Sequence, residues 1–372
     1  MAVLAAFHLL FLLQAGAPPP RDLSNLIASA LEKSQLPALG AAIVTSAGLE
    51  AVGVAGVRSW GRSENVTSDD QWHLGSCTKA VTATLVGRLI DRGVLGWNTT
   101  IGDALGTAFP AIHPAWRAVP IAWLLSHRSG APLNFAEDIW ERMVARGGSP
   151  RDQRRFFVEE GLRTPPTAPP NTVTVYSNSG YLVAGVMLET LTGASWEELV
   201  RREVFEPLVM TRTGFGAPGT AGRLDQPLGH TRGPNGWTPV ELGPNADNPA
   251  ATGPAGTIHT TLPDWARFIA AHLRGARGDH GYLKSATWRR LHSAGGTDWG
   301  YSPGWVVTER EWAGGKLLRH VGSNNFWVAE ASLALAKDFA VLIVTNVGDD
   351  AAEAPFQHLL SALVANHATH AR

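Results

Sequence analysis

Near the start of the chain, apolar side chains first recur with the spacing of a helix. They then form short, nearly continuous runs of the kind found in buried strands. Residues 22–33 place apolar side chains three and four positions apart, which predicts an amphipathic helix. Residues 39–44 and 49–57 are two short runs rich in apolar side chains, which predicts a hairpin of two strands. We therefore expect a helix followed by a β-hairpin.

The C-terminal third of the chain shows the same two periodicities in a different order. We predict helices over 261–273, 285–292 and 354–367, and strands over 304–309, 326–335 and 339–346. One antiparallel sheet, covered by the terminal helices, would bury the apolar faces of strands from both parts of the chain. We therefore assign 22–94 and 257–372 to a common sheet lobe.

The sequence pattern of the intervening residues, 95–256, is typical of helices joined by loops rich in Gly and Pro. Helices are predicted over 179–192 and over 195–205, and the second begins with the spacing of a capping box. The predicted fold is α/β (α+β). An antiparallel sheet is flanked by N- and C-terminal helices and an all-helical lobe is inserted, so that residues 18–372 form one domain with its active site in the cleft between the lobes.

The first residues resemble a secretory signal peptide. Residues 2–13 are apolar except for His8, and 15–17 resemble a small-residue cleavage site. This apolar run is too short to span a bilayer as a helix. No Lys or Arg precedes Arg21, so the usual positive charge is missing and an unprocessed hydrophobic leader is the alternative. We expect 1–17 to be removed, leaving a periplasmic or secreted protein with no stable membrane insertion.

Composition excludes several classes of partner. Of the 372 residues, 44% are hydrophobic and 17% are charged, with a formal net charge of −1, so a large core is expected and no basic surface attracts nucleic acid. A single cysteine rules out an intramolecular disulfide. Motifs for a zinc helix or a phosphate loop are missing from the sequence, so we expect no metal and no cofactor. We expect a monomer, although nothing in the sequence sets the oligomeric state.

The sequence Ser76-Cys77-Thr78-Lys79 brings a nucleophile and a base together. A serine and a lysine three apart on a helix share one face, with Cβ atoms roughly 5–6 Å apart. The serine hydroxyl needs a proton acceptor, and a lysine near a helix N-terminus is shifted toward neutrality. No other serine in this chain precedes a lysine by three positions. The alternative is an ordinary surface pair. Cys77 points about 100° away and is expected to be a small buried hydrophobe.

Two further elements contain side chains suited to catalysis. Tyr176 and Asn178 follow the strand-like residues 172–175 and precede a helix, which places a phenol and an amide at a turn. Beside an ammonium group, the pKa of a tyrosine falls enough for it to act as a base; packing of its ring is the alternative. The third element is Arg-His-Val-Gly-Ser at 319–323, where glycine allows close approach to the backbone. On its own, His320 would be structural.

In this order, the three elements resemble the serine β-lactamase and penicillin-binding protein family, in particular its class C enzymes, D-aminopeptidases and family VIII esterases. Additional segments that resemble family landmarks are 72–75, 124–130, 206–213, 253–256 and 320–324. The resemblance extends from about residue 37 onward. It implies a β-lactamase/transpeptidase-like fold and a serine hydrolase that forms a covalent acyl-enzyme with a small ester, amide or peptide substrate.

The resemblance also implies a role for each matching residue. Ser76 is the nucleophile, Lys79 and Tyr176 transfer protons, and Asn178, His320 and Gly322 bind the substrate. The backbone N–H groups of Ser76 and Ser323 form the oxyanion hole, in which two fixed donors stabilise the charge that develops on the carbonyl oxygen. We expect Trp140 and Trp327 to lie at the cleft.

The sequence departs from true β-lactamases at His320, where their Lys-Thr-Gly motif has lysine. Because a histidine with an ordinary pKa near 6.5 is charged only below neutrality, carboxylate binding should weaken above pH 7 and improve toward pH 6. We therefore expect esterase-like or D-peptidase-like activity, with weak or no β-lactamase activity. The alternatives are a penicillin-recognising binder or sensor that is acylated without turnover, and a true class C-like β-lactamase.

Overall fold

The computed structural model describes residues 19–233, 236–296, 299–348 and 350–370. The signal-peptide prediction for 1–17 lies outside these residues, so export stays a prediction. Among the helices of the described ranges, none is both long and apolar enough to cross a membrane.

Thirteen strands are found in the described part of the chain, and eight of them form one sheet. The strands are β1 (Arg21–Asp22), β2 (Ala38–Thr45), β3 (Gly48–Gly56), β4 (Gln71–His73), β5 (Thr213–Phe215), β6 (Gly229–Gly233), β7 (Gly236–Val240), β8 (Ile258–Thr261), β9 (Tyr301–Ser302), β10 (Trp305–Arg310), β11 (Gly315–Ser323), β12 (Val328–Ala334) and β13 (Phe339–Thr345). The main sheet has the order β1-β3-β2-β13-β12-β11-β10-β9, antiparallel except between β1 and β3. This confirms a sheet shared by both ends of the chain.

The helices cover the sheet and build a second lobe. They are α1 (Ser24–Ser34), α2 (Thr78–Asp91), α3 (Ile101–Leu105), α4 (Pro114–Arg117), α5 (Ile121–Leu125), α6 (Glu137–Arg146), α7 (Pro150–Gly161), α8 (Asn178–Thr192), α9 (Trp196–Val200), α10 (Gly253–Gly256), α11 (Leu262–Ala276), α12 (Ser285–Leu291) and α13 (Glu353–His370). Those from α3 to α10 lie between the two sheet-forming segments. The mixed fold class predicted from the sequence is confirmed.

Alternation along the central strands divides the core into two layers. Leu39, Ala41 and Ile43 of β2 face the layer that contains α1 and α13, whereas Ala42 and Val44 face the layer that contains α2 and α11. Successive side chains of a strand point to opposite faces, and here both faces are covered. This explains why β2 is apolar at nearly every position rather than at every second one.

Three features of the structure differ from the prediction. The inserted region also contains β5, β6 and β7; β5 completes a three-stranded sheet with β4 and β8, and β6 pairs with β7. Residues 172–175 are not a strand, because they make isolated backbone bonds, such as Val175 N–H to the His127 carbonyl at 2.9 Å, instead of a ladder. The landmark at 319–323 lies on β11; the resemblance implies a strand at Ser323, but the hydrophobic pattern predicts none there.

Candidate active site

Ser76 lies at the junction between a tight turn and a buried helix. A single 3₁₀ turn, Gly75–Cys77, leads directly into α2, and Gly75 adopts a positive φ of 48° that favours glycine. Ser76 lines a cavity of about 110 Å³. The other lining residues are Asn134, Trp140, Asn178, Leu182, Asn248, Thr252, Ala255, Gly256 and Ser323. The sequence therefore places its strongest candidate nucleophile at the wall of a cleft.

Lys79 lies one helical turn below Ser76 and is fully buried. Its Nζ lies 3.0 Å from Ser76 Oγ, 2.8 Å from Asn178 Oδ1 and 2.8 Å from the Ala255 carbonyl oxygen. Burial lowers the pKa of Lys79 from 10.5 to about 7. An amine in its neutral form donates its two hydrogens to the two obligate acceptors, Asn178 and Ala255. Its lone pair is then directed at the Ser76 hydroxyl.

Tyr176 contacts the same two residues from the helical lobe. Its hydroxyl is hydrogen-bonded to Ser76, and its ring centroid lies 4.9 Å from Lys79 Nζ. Burial raises the pKa of Tyr176 to about 12, and this effect exceeds that of the Ser76 hydrogen bond, which lowers the pKa. The expectation of a lowered pKa is therefore wrong. The phenol stays protonated at neutral pH and is available as a donor.

Asn178 is the first residue of α8 and links the base to the cleft. Its Oδ1 accepts from Lys79, and its Nδ2 donates to Asn134 Oδ1 at 3.2 Å, so these two bonds determine which amide atom faces which partner. The backbone N–H of Asn178 donates to the Leu133 carbonyl at 2.8 Å. One hydrogen of the Asn178 amide still points away from these partners in a cleft-lining side chain, where a substrate carbonyl can accept it.

The backbone segments of Ser76 and Ser323 lie in direct contact. A Cβ atom added to Gly322 would lie 2.5 Å from the Ser76 nitrogen, and one added to Gly75 would overlap the Ser323 nitrogen. Glycine is therefore required at both positions. Pairing between β10 and β11 ends at Val306 and Arg319, so residues 320–323 of β11 lie beyond the part of the strand that pairs with β10. Gly322 is buried in this contact, while Ser323 lines the cavity.

His320 lies on β11 but is directed away from the cleft. Its side chain is buried, its Nδ1 lies 2.8 Å from the Val321 carbonyl, and its Nε2 lies 2.9 Å from the Tyr301 hydroxyl. Burial, reinforced by the charge of Lys79, lowers the pKa of His320 to about 3. The expectation that His320 becomes charged toward pH 6 is therefore wrong. It is neutral and packs against Tyr301, which belongs with His127, Tyr176 and Tyr181 to an aromatic cluster.

Other predicted residues have mixed outcomes. Trp140 lines the cavity, whereas Trp327 is fully buried and packs against His73. Cys77 is buried as expected; its thiol lies 3.4 Å from the His320 carbonyl, and burial raises its pKa. Among the residues that the structure covers, no cluster of three or more His, Cys, Asp or Glu side chains is arranged to hold a metal ion.

Several polar groups of the cleft are not predicted from the sequence. The Ala255 carbonyl that accepts from Lys79 belongs to the landmark at 253–256. The sequence therefore marks this segment but not the role of its carbonyl oxygen. Asn134 and Asn248 come from loops without regular periodicity. Their only sequence signal is the position of an amide residue next to a predicted landmark or inside the long Gly/Pro-rich segment, which is too weak to single them out.

This chain is similar to known proteins along most of its length. The chain is 31% identical to Penicillin-binding protein 4 of Amycolatopsis lactamdurans over 79% of this chain and 77% of that protein. It is 27% identical to an unguisins hydrolase of Aspergillus campestris over 89% of this chain and 62% of that protein. The fold matches that of the D-amino acid amidase of Ochrobactrum anthropi with a TM-score of 0.71, at 20% identity, over 92% of this chain and 99% of that structure.

The family match covers nearly the whole described fold. It extends over residues 23–366, and therefore includes the Ser76 turn, the Tyr176 turn and β11. The resemblance inferred from the motifs is thus confirmed over both lobes. This chain belongs to the beta-lactamase family and is a serine hydrolase of that family.

Proposed function

We propose that this enzyme hydrolyses small ester and amide substrates through an acyl-enzyme on Ser76, with neutral Lys79 as the general base. The observation that supports this most strongly is the set of three contacts at Lys79 Nζ. Two obligate acceptors hold the amine hydrogens, and the third neighbour is the nucleophile. A base with a pKa of about 7 is well matched to neutral pH.

Acylation then follows from the positions of these groups. Ser76 Oγ attacks the substrate carbonyl carbon while its proton passes to Lys79 Nζ, and the carbonyl oxygen becomes an oxyanion that accepts from the N–H groups of Ser76 and Ser323. Collapse of this intermediate breaks the bond to the alcohol or amine. The leaving group takes a proton from the Tyr176 phenol, and the proton that Lys79 Nζ gained from Ser76 then returns to the resulting phenolate.

Deacylation reverses the roles with water in place of the leaving group. The neutral Lys79 amine, regenerated when the leaving group departs with the proton, takes a proton from a water molecule that attacks the ester carbonyl of the acyl-enzyme. The tetrahedral intermediate breaks at the bond to Ser76 Oγ, which recovers its proton and releases the carboxylic acid. Asn178 positions the acyl group by donating from its amide.

The neutral state of His320 favours substrates without a carboxylate near the reacting bond. True β-lactamases use a lysine cation in this motif, whereas His320 is buried, uncharged and bonded to Tyr301. We therefore propose weak or no β-lactam turnover. The amidase and hydrolase among the similar proteins support ester or amide hydrolysis.

The test is covalent labelling followed by steady-state kinetics. A fluorophosphonate should add one adduct to the peptide containing Ser76, and Ser76→Ala should abolish both the adduct and hydrolysis of p-nitrophenyl acetate. Ser332→Ala is the matched control, because Ser332 is a buried sheet serine remote from the cavity. An adduct on Cys77, or activity that survives Ser76→Ala, would refute the proposal.

The second candidate is a binder that is acylated without turnover, favoured by the similarity to a penicillin-binding protein. The same assay separates it from the hydrolase. A single stoichiometric burst of p-nitrophenol, followed by no further release, would identify the binder. Continued linear release identifies the hydrolase.

A further inference from the structure

Asp247 connects the two backbone segments that meet at the nucleophile. Its carboxylate lies 2.9 Å from His73 Nε2 and 2.8 Å from Asn324 Nδ2, and it also accepts from the Asn248 N–H at 2.7 Å. His73 lies three residues before Ser76, and Asn324 directly follows Ser323. One carboxylate thus bridges residues on both sides of the proposed oxyanion hole.

The contact to His73 extends to the turn that holds the nucleophile. The Gly75 N–H donates to His73 Nδ1 at 3.1 Å. Because Nδ1 accepts, the ring proton is on Nε2 and is donated to the Asp247 carboxylate. Asp247 therefore fixes the tautomer of His73, and that tautomer provides the acceptor for the residue next to Ser76.

The contact between Asp247 and Asn324 likewise involves a side chain of fixed orientation, here next to Ser323. Asn324 Oδ1 accepts from the N–H groups of Phe326 and Trp327, both at 3.1 Å. These bonds leave Nδ2 as the only amide group that can face Asp247. The end of β11 is therefore held by a side chain whose orientation is set on both sides.

We propose that Asp247 is a positioning residue for the oxyanion hole, acting through His73 and Asn324 on the N–H groups of Ser76 and Ser323. This inference rests on the proposed acyl-enzyme function. Because the facing backbones touch at Gly75 and Gly322, a small shift of either segment changes the distance between the two donors. Asp247 belongs to the long segment that follows β7, so that segment supports the catalytic geometry. Its next residue, Asn248, lines the cavity itself.

Asp247→Asn is the sharpest test because it preserves shape and changes only donors and acceptors. Whichever way the new amide is oriented, its NH₂ group faces an existing donor, either His73 Nε2–H or the donors at Asn324 and Asn248. If His73 moves its proton to Nδ1 to relieve the conflict, that proton faces the Gly75 N–H. The mismatch therefore reaches the oxyanion hole in every arrangement that keeps the fold.

Asp264→Asn is the matched control. Asp264 is a buried carboxylate that accepts from the Arg212 N–H at 2.6 Å and from the Thr213 hydroxyl at 3.2 Å, and it pairs with Arg267. It lies near the start of α11 and does not line the cavity. Both substitutions remove one negative charge from a hydrogen-bonded carboxylate, so a general loss of stability affects both variants.

The readouts are kcat and KM for p-nitrophenyl acetate and the affinity for phenylboronic acid, whose tetrahedral adduct with serine places an oxygen in the oxyanion hole. For Asp247→Asn we expect kcat and boronate affinity to fall together by about 10- to 100-fold, with KM changed less than about threefold. Asp264→Asn should leave all three within about threefold. Equal effects of the two variants, or a loss confined to KM, would overturn the inference.

His73→Gln provides the test if Asp247→Asn does not fold. A glutamine amide reaches the position of Nε2 and keeps the donor to Asp247, but it has no acceptor at the position of Nδ1. The same parallel loss of kcat and boronate affinity is expected, and unchanged boronate affinity would refute the positioning role. Failure of wild-type labelling at Ser76 would instead refute the proposed function, so the two failures are distinguishable.

Discussion

Lys79 and His320 are two buried bases on neighbouring elements, and their comparison shows what makes a buried group a catalyst. Burial lowers the pKa of both, to about 7 for Lys79 and to about 3 for His320. The acceptors around Lys79 direct its lone pair at Ser76, whereas His320 is bonded to Tyr301 and a backbone carbonyl below the cleft. A shifted pKa is therefore not sufficient. Hydrogen-bond partners decide where the proton can go.

The two groups also differ in their effect on stability. Because the pKa of Lys79 is lower in the folded state than its ordinary value of 10.5, the unfolded chain binds more protons between about pH 7 and 10.5. Folding stability therefore rises with pH across this window as far as Lys79 contributes. His320 has the same sign of effect in a lower window, between about pH 3 and 6.5, where the unfolded histidine is protonated and the folded one is not.

The largest effect should come from removing the catalytic base. Lys79→Ala leaves Ser76 without a proton acceptor, so we expect the rate of acylation by p-nitrophenyl acetate to fall about 10²- to 10⁴-fold. Lys316→Ala is the control, because the Lys316 amine donates to the His292 carbonyl at 3.4 Å and does not line the cavity. Stopped-flow release of p-nitrophenol measures the rate. A similar, mild loss in both variants would show that Lys79 is not the base.

A smaller loss of acylation rate is expected when the proton donor Tyr176 is changed. The same change at Tyr301 compares the cleft with the surroundings of His320. Tyr176→Phe keeps the ring but removes the hydroxyl bonded to Ser76, so acylation should slow by about 10- to 100-fold. Tyr301→Phe removes the hydroxyl bonded to His320; it should cost about 1 kcal/mol of folding stability and change the rate less than about threefold. Chemical denaturation and the acylation assay measure both. Equal effects on the rate would show that the Tyr176 hydroxyl contributes no more to catalysis than the Tyr301 hydroxyl does.

Combining Lys79→Ala with Tyr176→Phe tests whether the two residues act as a unit. Groups that share one proton pathway give strongly non-additive losses. The double variant should therefore be nearly as active as Lys79→Ala alone. Losses that simply multiply would mean that Tyr176 acts independently of the base.

The pH profile should report only one of the two bases. Lys79 must be neutral to accept a proton, so kcat/KM for p-nitrophenyl acetate should rise with pH through about 7 and level off above it. His320→Gln should retain this midpoint, because His320 stays neutral throughout this range. A midpoint that moves in His320→Gln would indicate that the histidine titrates within the catalytic pathway.

The smallest effect concerns the choice of substrate. In the wild type, the ratio of kcat/KM for a carboxylate-bearing ester to that for its uncharged analogue should stay constant within about twofold between pH 6 and 8, because His320 gains no charge there. Matched succinate and butyrate esters provide this pair. A ratio that increases as the pH falls to 6 would show that a histidine cation binds the carboxylate.

The parts of this structure that were predictable depend on local patterns. Ser76 and Lys79 are neighbours along one segment, and the buried strands and terminal helices follow from their periodicity. The His73–Asp247 contact joins residues 174 positions apart, which no local pattern specifies. The direction of the Tyr176 pKa shift depends on how deeply the ring is buried, and the orientation of His320 depends on Tyr301. Both are consequences of packing that a single sequence does not reveal.

The pairing of β2 with β13 also determines the order in which this protein can fold. The Thr345 hydroxyl donates to the Ala38 carbonyl across 307 positions of sequence, and the two strands pair along their whole length. During synthesis, β2 cannot pair with β13 until residues 339–345 have been made, so one edge of this apolar strand stays unpaired until then. Pairing between such distant residues also slows folding. A chain ending at residue 338 should aggregate in a solubility assay, because β2 is left without its central partner.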